Sequence, residues 1–142
     1  MKHLSAGEVI SLLGLEPHVE GGFYRQTFAD QPDSTGRPIS TLIYYMLTDN
    51  QAGAWHRVDS SEVWHWYAGA SMELSISRDG KAVATSTLGS DLAAGQRPQG
   101  VVPPGAWQRA KAMGEWSLVG CTVAPGFQFW KLEQAEPGWE PG

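Results

Sequence analysis

A chain of 142 residues with 42% hydrophobic content fits one domain and can bury a core of its own. Fifteen acidic against ten basic residues leave a net charge of −5 with no basic cluster, which argues against nucleic acid and membrane surfaces as partners. No segment reads as a membrane span or a secretory signal, and Cys121 has no second cysteine to pair with, so a cytoplasmic protein is expected.

The first element is a short helix over about residues 5–14. Ser5 and Glu8 have the spacing of a capping box, Val9, Leu12 and Leu13 are expected to share a face, and Gly14 can end the turn. From residue 22 the pattern is almost entirely β. "GFYRQTFAD" alternates aromatic and polar residues, and "QPDSTGRP" supplies a loop. "ISTLIYYMLT" is too apolar for an exposed edge and reads as a central strand. "AWHRV", "EVWHWYAG", "MELSIS" and "AVATSTL" follow, with "SRDGK" as a hairpin turn between the last two. "GSDLAAGQRPQG" is a loop, and "VVPPGAWQRA", "WSLVGCTV" and "FQFWKLE" complete the strand series. The tail, 134–142, is turn-rich and expected to be only partly ordered. Many short strands at regular spacing predict an all-β antiparallel jelly roll over about 22–133, in a single domain with the helix in front.

The polar residues concentrate in "HRVDSSEVWHWYAG". Side chains alternate between the two faces of a strand, so His56 and Val58 share one face. Glu62, Trp64 and Trp66 likewise share a face, whereas His65 falls on the outer one. His56 and Glu62 are then expected to meet across a hairpin. An imidazole with a carboxylate suits a metal site, proton transfer, or a hydrogen-bonded pair that only satisfies polar groups in a core. In "HVEGGFYR", His18, Glu20 and Arg25 flank a double glycine, as the lip of a pocket or as a turn feeding the first strand. Trp64, Trp66, Trp107, Phe127 and Phe129 are candidates for an aromatic pocket wall or for plain core. Cys121 reads as a small buried hydrophobe. No Gly-x-Ser-x-Gly, phosphate loop or dinucleotide fingerprint occurs.

The spacing from His56 runs His-x-Val58-x3-Glu62-x6-Gly69, and a second stretch runs Pro103-Pro104-Gly105-x2-Gln108-x3-Ala112. With "HVEGGFYRQTF", "STLIYYMLT", "VPPGAWQ" and "SLVGCTVAPGFQF", these resemble the two motifs of the cupin superfamily, in particular its small single-domain members of unknown function. The resemblance covers about residues 5–133 and implies a double-stranded β-helix barrel, a homodimer, and a pocket at one end of the barrel. Against the cupin ligand set, His56 and Glu62 match, while Val58 and Gln108 stand where histidines are usual. A tightly held cofactor is therefore not expected. Any weakly bound divalent metal would rest on His56, Glu62 and Gln108.

The function so implied is binding of a small polar metabolite, sugar-like or anionic, with Glu20, Arg25, Trp64, Trp66, Gln108 and Phe127 as ligand contacts. By analogy with metal-free sugar-nucleotide epimerases, His56 would be the base and Glu62 its orienting partner. The acid would be one of Tyr24, Tyr44, Tyr45 and Tyr67. A non-catalytic sensor and a metal-dependent isomerase or dioxygenase are the alternatives.

Overall fold

The computed structural model describes residues 3–49 and 51–142. Helix α1 (Ala6–Leu13) begins with the expected reciprocal cap. The Glu8 N–H donates to Ser5 Oγ at 3.2 Å, and the Ser5 N–H donates to Glu8 Oε1 at 3.1 Å. Gly14 ends the helix at φ 67°. Val9 is the residue of α1 that is buried, packed with Met46 and Trp116 and flanked by Ile10 and Leu13. Leu12 is 71% exposed, so the apolar face is narrower than the sequence pattern suggests.

Among the described residues eleven strands follow: β1 (Glu16–Pro17), β2 (Phe23–Ala29), β3 (Thr41–Thr48), β4 (His56–Arg57), β5 (Ser61–Gly69), β6 (Met72–Ser77), β7 (Ala84–Leu88), β8 (Gln99–Val102), β9 (Trp107–Ala112), β10 (Trp116–Ala124) and β11 (Glu133–Gln134). They form a six-stranded sheet in the order β1-β2-β3-β10-β5-β8 and a five-stranded sheet in the order β11-β4-β9-β6-β7. This is a jelly roll. Tyr45, Leu47, Trp64 and Val119 meet Met72 and Leu74 in its core. The apolar run that reads as a central strand is β3, flanked by β2 and β10. The "SRDGK" turn joins β6 to β7, where Asp79 Oδ1 accepts from the Lys81 and Ala82 N–H groups at 2.8 and 3.0 Å.

Two segments differ from expectation. "FQFWKLE" is a single 3-10 turn (Phe129–Lys131) leading into the two-residue β11. The Gly126 N–H is taken by the Pro38 carbonyl and the Phe127 N–H by Thr41 Oγ1, so the chain leaves the sheet before a ladder can form. The tail is packed rather than loose. Trp139 lies 4.9 Å from Trp107 and 6.2 Å from Trp55, ring centre to ring centre. Glu140 accepts from Trp55 Nε1 at 2.9 Å and from Arg109 Nη1 at 2.8 Å. No helix among the described residues is long and apolar enough to cross a membrane.

Candidate functional site

The site begins with the double glycine. A tight turn closes with the His18 N–H donating to the Gly22 carbonyl at 2.9 Å and the Gly21 N–H donating to the His18 carbonyl at 3.1 Å. Gly22 has φ 77°, and a Cβ there would sit 2.6 Å from the Met46 carbonyl oxygen, so only glycine serves. Tyr45 donates its hydroxyl to the Gly21 carbonyl at 2.7 Å, and the Ala54 N–H donates to the Glu20 carbonyl at 2.9 Å. These bonds fix the turn against β3 and the approach to β4, and they carry Glu20 inside the barrel. The Glu20 N–H donates to His18 Nδ1 at 3.1 Å, which leaves the His18 proton on Nε2 in the neutral ring.

His56 occupies one rung that crosses three strands, opposite Gln108 of β9 on one side and Gln134 of β11 on the other. Its Nδ1 lies 2.9 Å from the Ala54 carbonyl oxygen, and its Nε2 lies 3.0 Å from Glu20 Oε2. The partner of His56 is therefore Glu20 and not Glu62, a correction to the hairpin pairing expected from sequence. Strand alternation correctly brings both side chains inward. It says nothing of the distant turn that reaches His56 first. Glu62 instead accepts at Oε1 from Gln108 Nε2 at 2.8 Å, while Gln108 Oε1 accepts from Trp64 Nε1 at 3.0 Å.

These groups border a cavity of about 200 Å³. His18, Glu20, His56 and Glu62 form its polar end, and Tyr24, Phe127 and Phe129 an aromatic wall; Thr41, Val58 and Cys121 also face it. Of the expected catalytic and ligand-binding residues, Glu20, His56, Glu62 and Phe127 line the cavity, and Arg25, Trp64, Trp66 and Gln108 do not. Arg25 lies on the other face of β2, where its Nη1 donates to the Leu13 carbonyl at 3.1 Å and closes the end of α1. Trp64 is core, 1% exposed, and Gln108 is wholly buried between Trp64 and Glu62. Trp66 Nε1 donates to the Ala70 carbonyl at 3.0 Å, away from the cavity. His65 is on the outer face as expected, 3.1 Å from Thr122 Oγ1. Tyr24 is the one of the four candidate tyrosines at the cavity wall. Tyr45 is committed to Gly21, and Tyr44 and Tyr67 meet edge to face at 6.3 Å. In the sequence Phe129 reads only as aromatic wall or plain core, and Thr41 goes unmarked. The alternation of β3 could have found Thr41, because it shares a face with Ile43 and Tyr45.

Burial acts to lower the His56 pKa, but the Glu20 charge and hydrogen bond, with Glu62 and the Ala54 carbonyl, raise it to about 9. His56 is thus an imidazolium at neutral pH. Burial pushes Glu20 upward, and the charge and hydrogen bond of His56 outweigh it, so the net direction is down. Glu62 goes the other way. Burial and the Glu20 charge raise it against the pull of His56 and Gln108. Burial lowers His18 and keeps its ring neutral, and burial holds the Cys121 thiol protonated. The two carboxyls therefore sit in one cavity with their pKa values driven apart.

As paired here, the side chains leave no set of donors open to a transition metal. Both ring nitrogens of His56 are engaged, both ends of the Gln108 amide are bonded, and Val58 offers no donor. Among the described residues no group of three His, Cys, Asp or Glu side chains is disposed to hold an ion.

Residues 7–135 match the family described as Cupin superfamily (DUF985). The crystal structure of a protein from Shewanella oneidensis is similar over 94% of this chain and 86% of that one, at 36% identity and a TM-score of 0.89. A hypothetical protein from Leishmania major is similar over 92% of this chain and 86% of its own, at 27% identity and a TM-score of 0.82. Oxalate decarboxylase from Bacillus subtilis superimposes over 83% of this chain and 29% of its own, at 12% identity and a TM-score of 0.64, a likeness of fold alone. No curated protein matches the chain.

Proposed function

The chain belongs to the cupin family DUF985, and on that footing we propose that its barrel cavity binds a small polar metabolite without a resident metal and moves a proton on it. The observation that carries this reading is the buried His56–Glu20 ion pair, 3.0 Å long, standing in the same cavity as a second carboxyl, Glu62. Burying such a pair costs several kcal/mol in desolvation that apolar side chains would avoid, so stability alone does not account for it. Titratable groups driven apart in a cavity are the usual arrangement of an acid and a base.

The roles differ from those the epimerase analogy suggested. His56 has no free ring nitrogen, so it is a positioning residue that keeps Glu20 ionised. Glu20 is the base that takes a proton from carbon beside a carbonyl. Glu62, whose pKa is raised, or Tyr24 at the wall, returns a proton. The product is an epimer or an isomer. A non-catalytic binding protein is the second reading, favoured by one observation: the lowered pKa makes Glu20 a weak base.

Incubation of the protein with small keto-sugars and amino-ketones in deuterium oxide tests the proposal. Incorporation of deuterium at the carbon beside the carbonyl, lost in Glu20→Gln, is the expected result. Binding without exchange selects the second reading, and neither binding nor exchange overturns both. A cytoplasmic homodimer is part of the same proposal, supported by the lone cysteine and by the exposed apolar Phe28 and Ile39. A single sedimenting species of monomer mass would remove the dimer.

A further inference from the structure

The charges around the cavity do not balance. Two carboxyls line it, Glu20 and Glu62, and among the described residues no lysine or arginine does. The one cation is His56, whose two ring N–H groups are already directed to Glu20 and to the Ala54 carbonyl. A bound anion would find no free cationic donor there and two carboxyls to repel it. The anionic half of the expected sugar-like or anionic ligand loses its basis, since Arg25 lies outside the cavity.

The cavity also has an aromatic wall. The Phe127 and Phe129 rings are 5.0 Å apart, the neutral His18 ring lies 6.0 Å from Phe129 and 4.6 Å from Tyr24, and all four line the cavity. Aromatic faces attract organic cations through the ring quadrupole, and most strongly where water is excluded. The net charge of −5 adds a weak long-range attraction of the same sign.

We infer that the ligand of this cavity is a compact organic cation, with a protonated or quaternary ammonium group seated against the aromatic wall and Glu20 and Glu62 as its counter-charges. The inference rests on the reading of the cavity as a small-molecule site and names the class of ligand. Size restricts that class. At about 200 Å³ the cavity is smaller than the roughly 300–1,000 Å³ of pockets for drug-sized ligands. Simple amines, amino alcohols and single amino-sugar rings fit that limit better than nucleotide-linked sugars. A cation beside Glu62 also supplies the charge partner that this buried carboxyl lacks, and it would oppose the upward push that burial gives the Glu62 pKa.

Matched probes test the class. The ring signals of His18 and His56 are followed by NMR during titration with methylammonium, ethanolamine and choline, and with the uncharged choline isostere 3,3-dimethylbutan-1-ol and glucose. The expected result is that at least one cation shifts both rings and that choline or a smaller cation binds about tenfold or more tightly than the uncharged isostere. Glu62→Gln should erase most of that preference. Phe129→Leu, at a position 49% exposed where folding is not at stake, should weaken the cation and leave the alcohol unchanged. Equal or tighter binding of 3,3-dimethylbutan-1-ol or glucose overturns the inference and leaves the small-molecule reading standing. Absence of any ring shift with all five probes overturns the cation class, and an accompanying failure of the deuterium-exchange and binding tests on keto-sugars removes the ligand site itself.

Discussion

His56 and Glu20 hold each other at 3.0 Å with side chains only 6% and 10% exposed, one on a two-residue strand and the other on a glycine turn outside both sheets. Neither element is regular enough to be rigid alone. The ion pair, together with the Ala54 N–H bond to the Glu20 carbonyl, ties them together.

Removing one partner should expose that dependence. His56→Ala leaves Glu20 buried without its counter-charge, and a loss of about 3–5 kcal/mol is expected in urea unfolding. The double substitution Glu20→Gln with His56→Gln should lose less than His56→Ala alone, because no unpaired charge remains. Equal losses would deny that the pair is coupled.

Stability should follow pH through the same two groups. The folded pKa of His56, about 9, lies above its ordinary 6.5, so its contribution is full below pH 6.5 and disappears as pH rises through 9. The folded pKa of Glu20 lies below its ordinary 4.5, so its contribution is present above pH 4.5 and fades as pH falls through the folded value. The pair therefore stabilises most between about pH 4.5 and 6.5. Up to about 3 kcal/mol is lost between pH 6.5 and 9, read from midpoints of denaturant unfolding across that range. The His56→Gln protein should have a flatter alkaline limb.

Gln108 is fully buried and bridges Trp64 Nε1 and Glu62 Oε1. Gln108→Leu removes both bonds without opening a large void, and it should cost at least about 2 kcal/mol by leaving the indole N–H unpartnered. A shift of Glu62's titration in carboxyl-resolved NMR would accompany it.

The C-terminal tryptophan carries a separate prediction. Trp139→Ala should destabilise by about 1–3 kcal/mol, because it empties the space between Trp55 and Trp107. Near-ultraviolet circular dichroism from the clustered indoles should fall with it.

The strand pattern, the capping box of α1 and the inward face of His56 and Glu62 are all legible in the sequence, because each depends on neighbours a few residues apart. The pairing of His56 with Glu20 is not. It depends on how a glycine turn before β2 folds over the end of the barrel, a contact between distant parts of the chain that no local period encodes. Arg25 misleads for a related reason. On a strand its neighbours Tyr24 and Gln26 face the cavity, and one step along β2 turns the guanidinium to the helix instead. The packing of the tail is not legible either, because its tryptophan and glutamate find their partners, Trp55, Trp107 and Arg109, only after β4 and β9 are side by side.

Cys121 gives the molecule a built-in occupancy gauge. It is the only cysteine in the chain, it is 2% exposed, and it faces the cavity. A small uncharged alkylating reagent is expected to reach it through the cavity, and burial of the protonated thiol should make that reaction slow enough to time. Whatever fills the space should lower the labelling rate in proportion to its saturation. The protein can thus be screened against unlabelled metabolites by mass spectrometry, with its own sulfur as the clock.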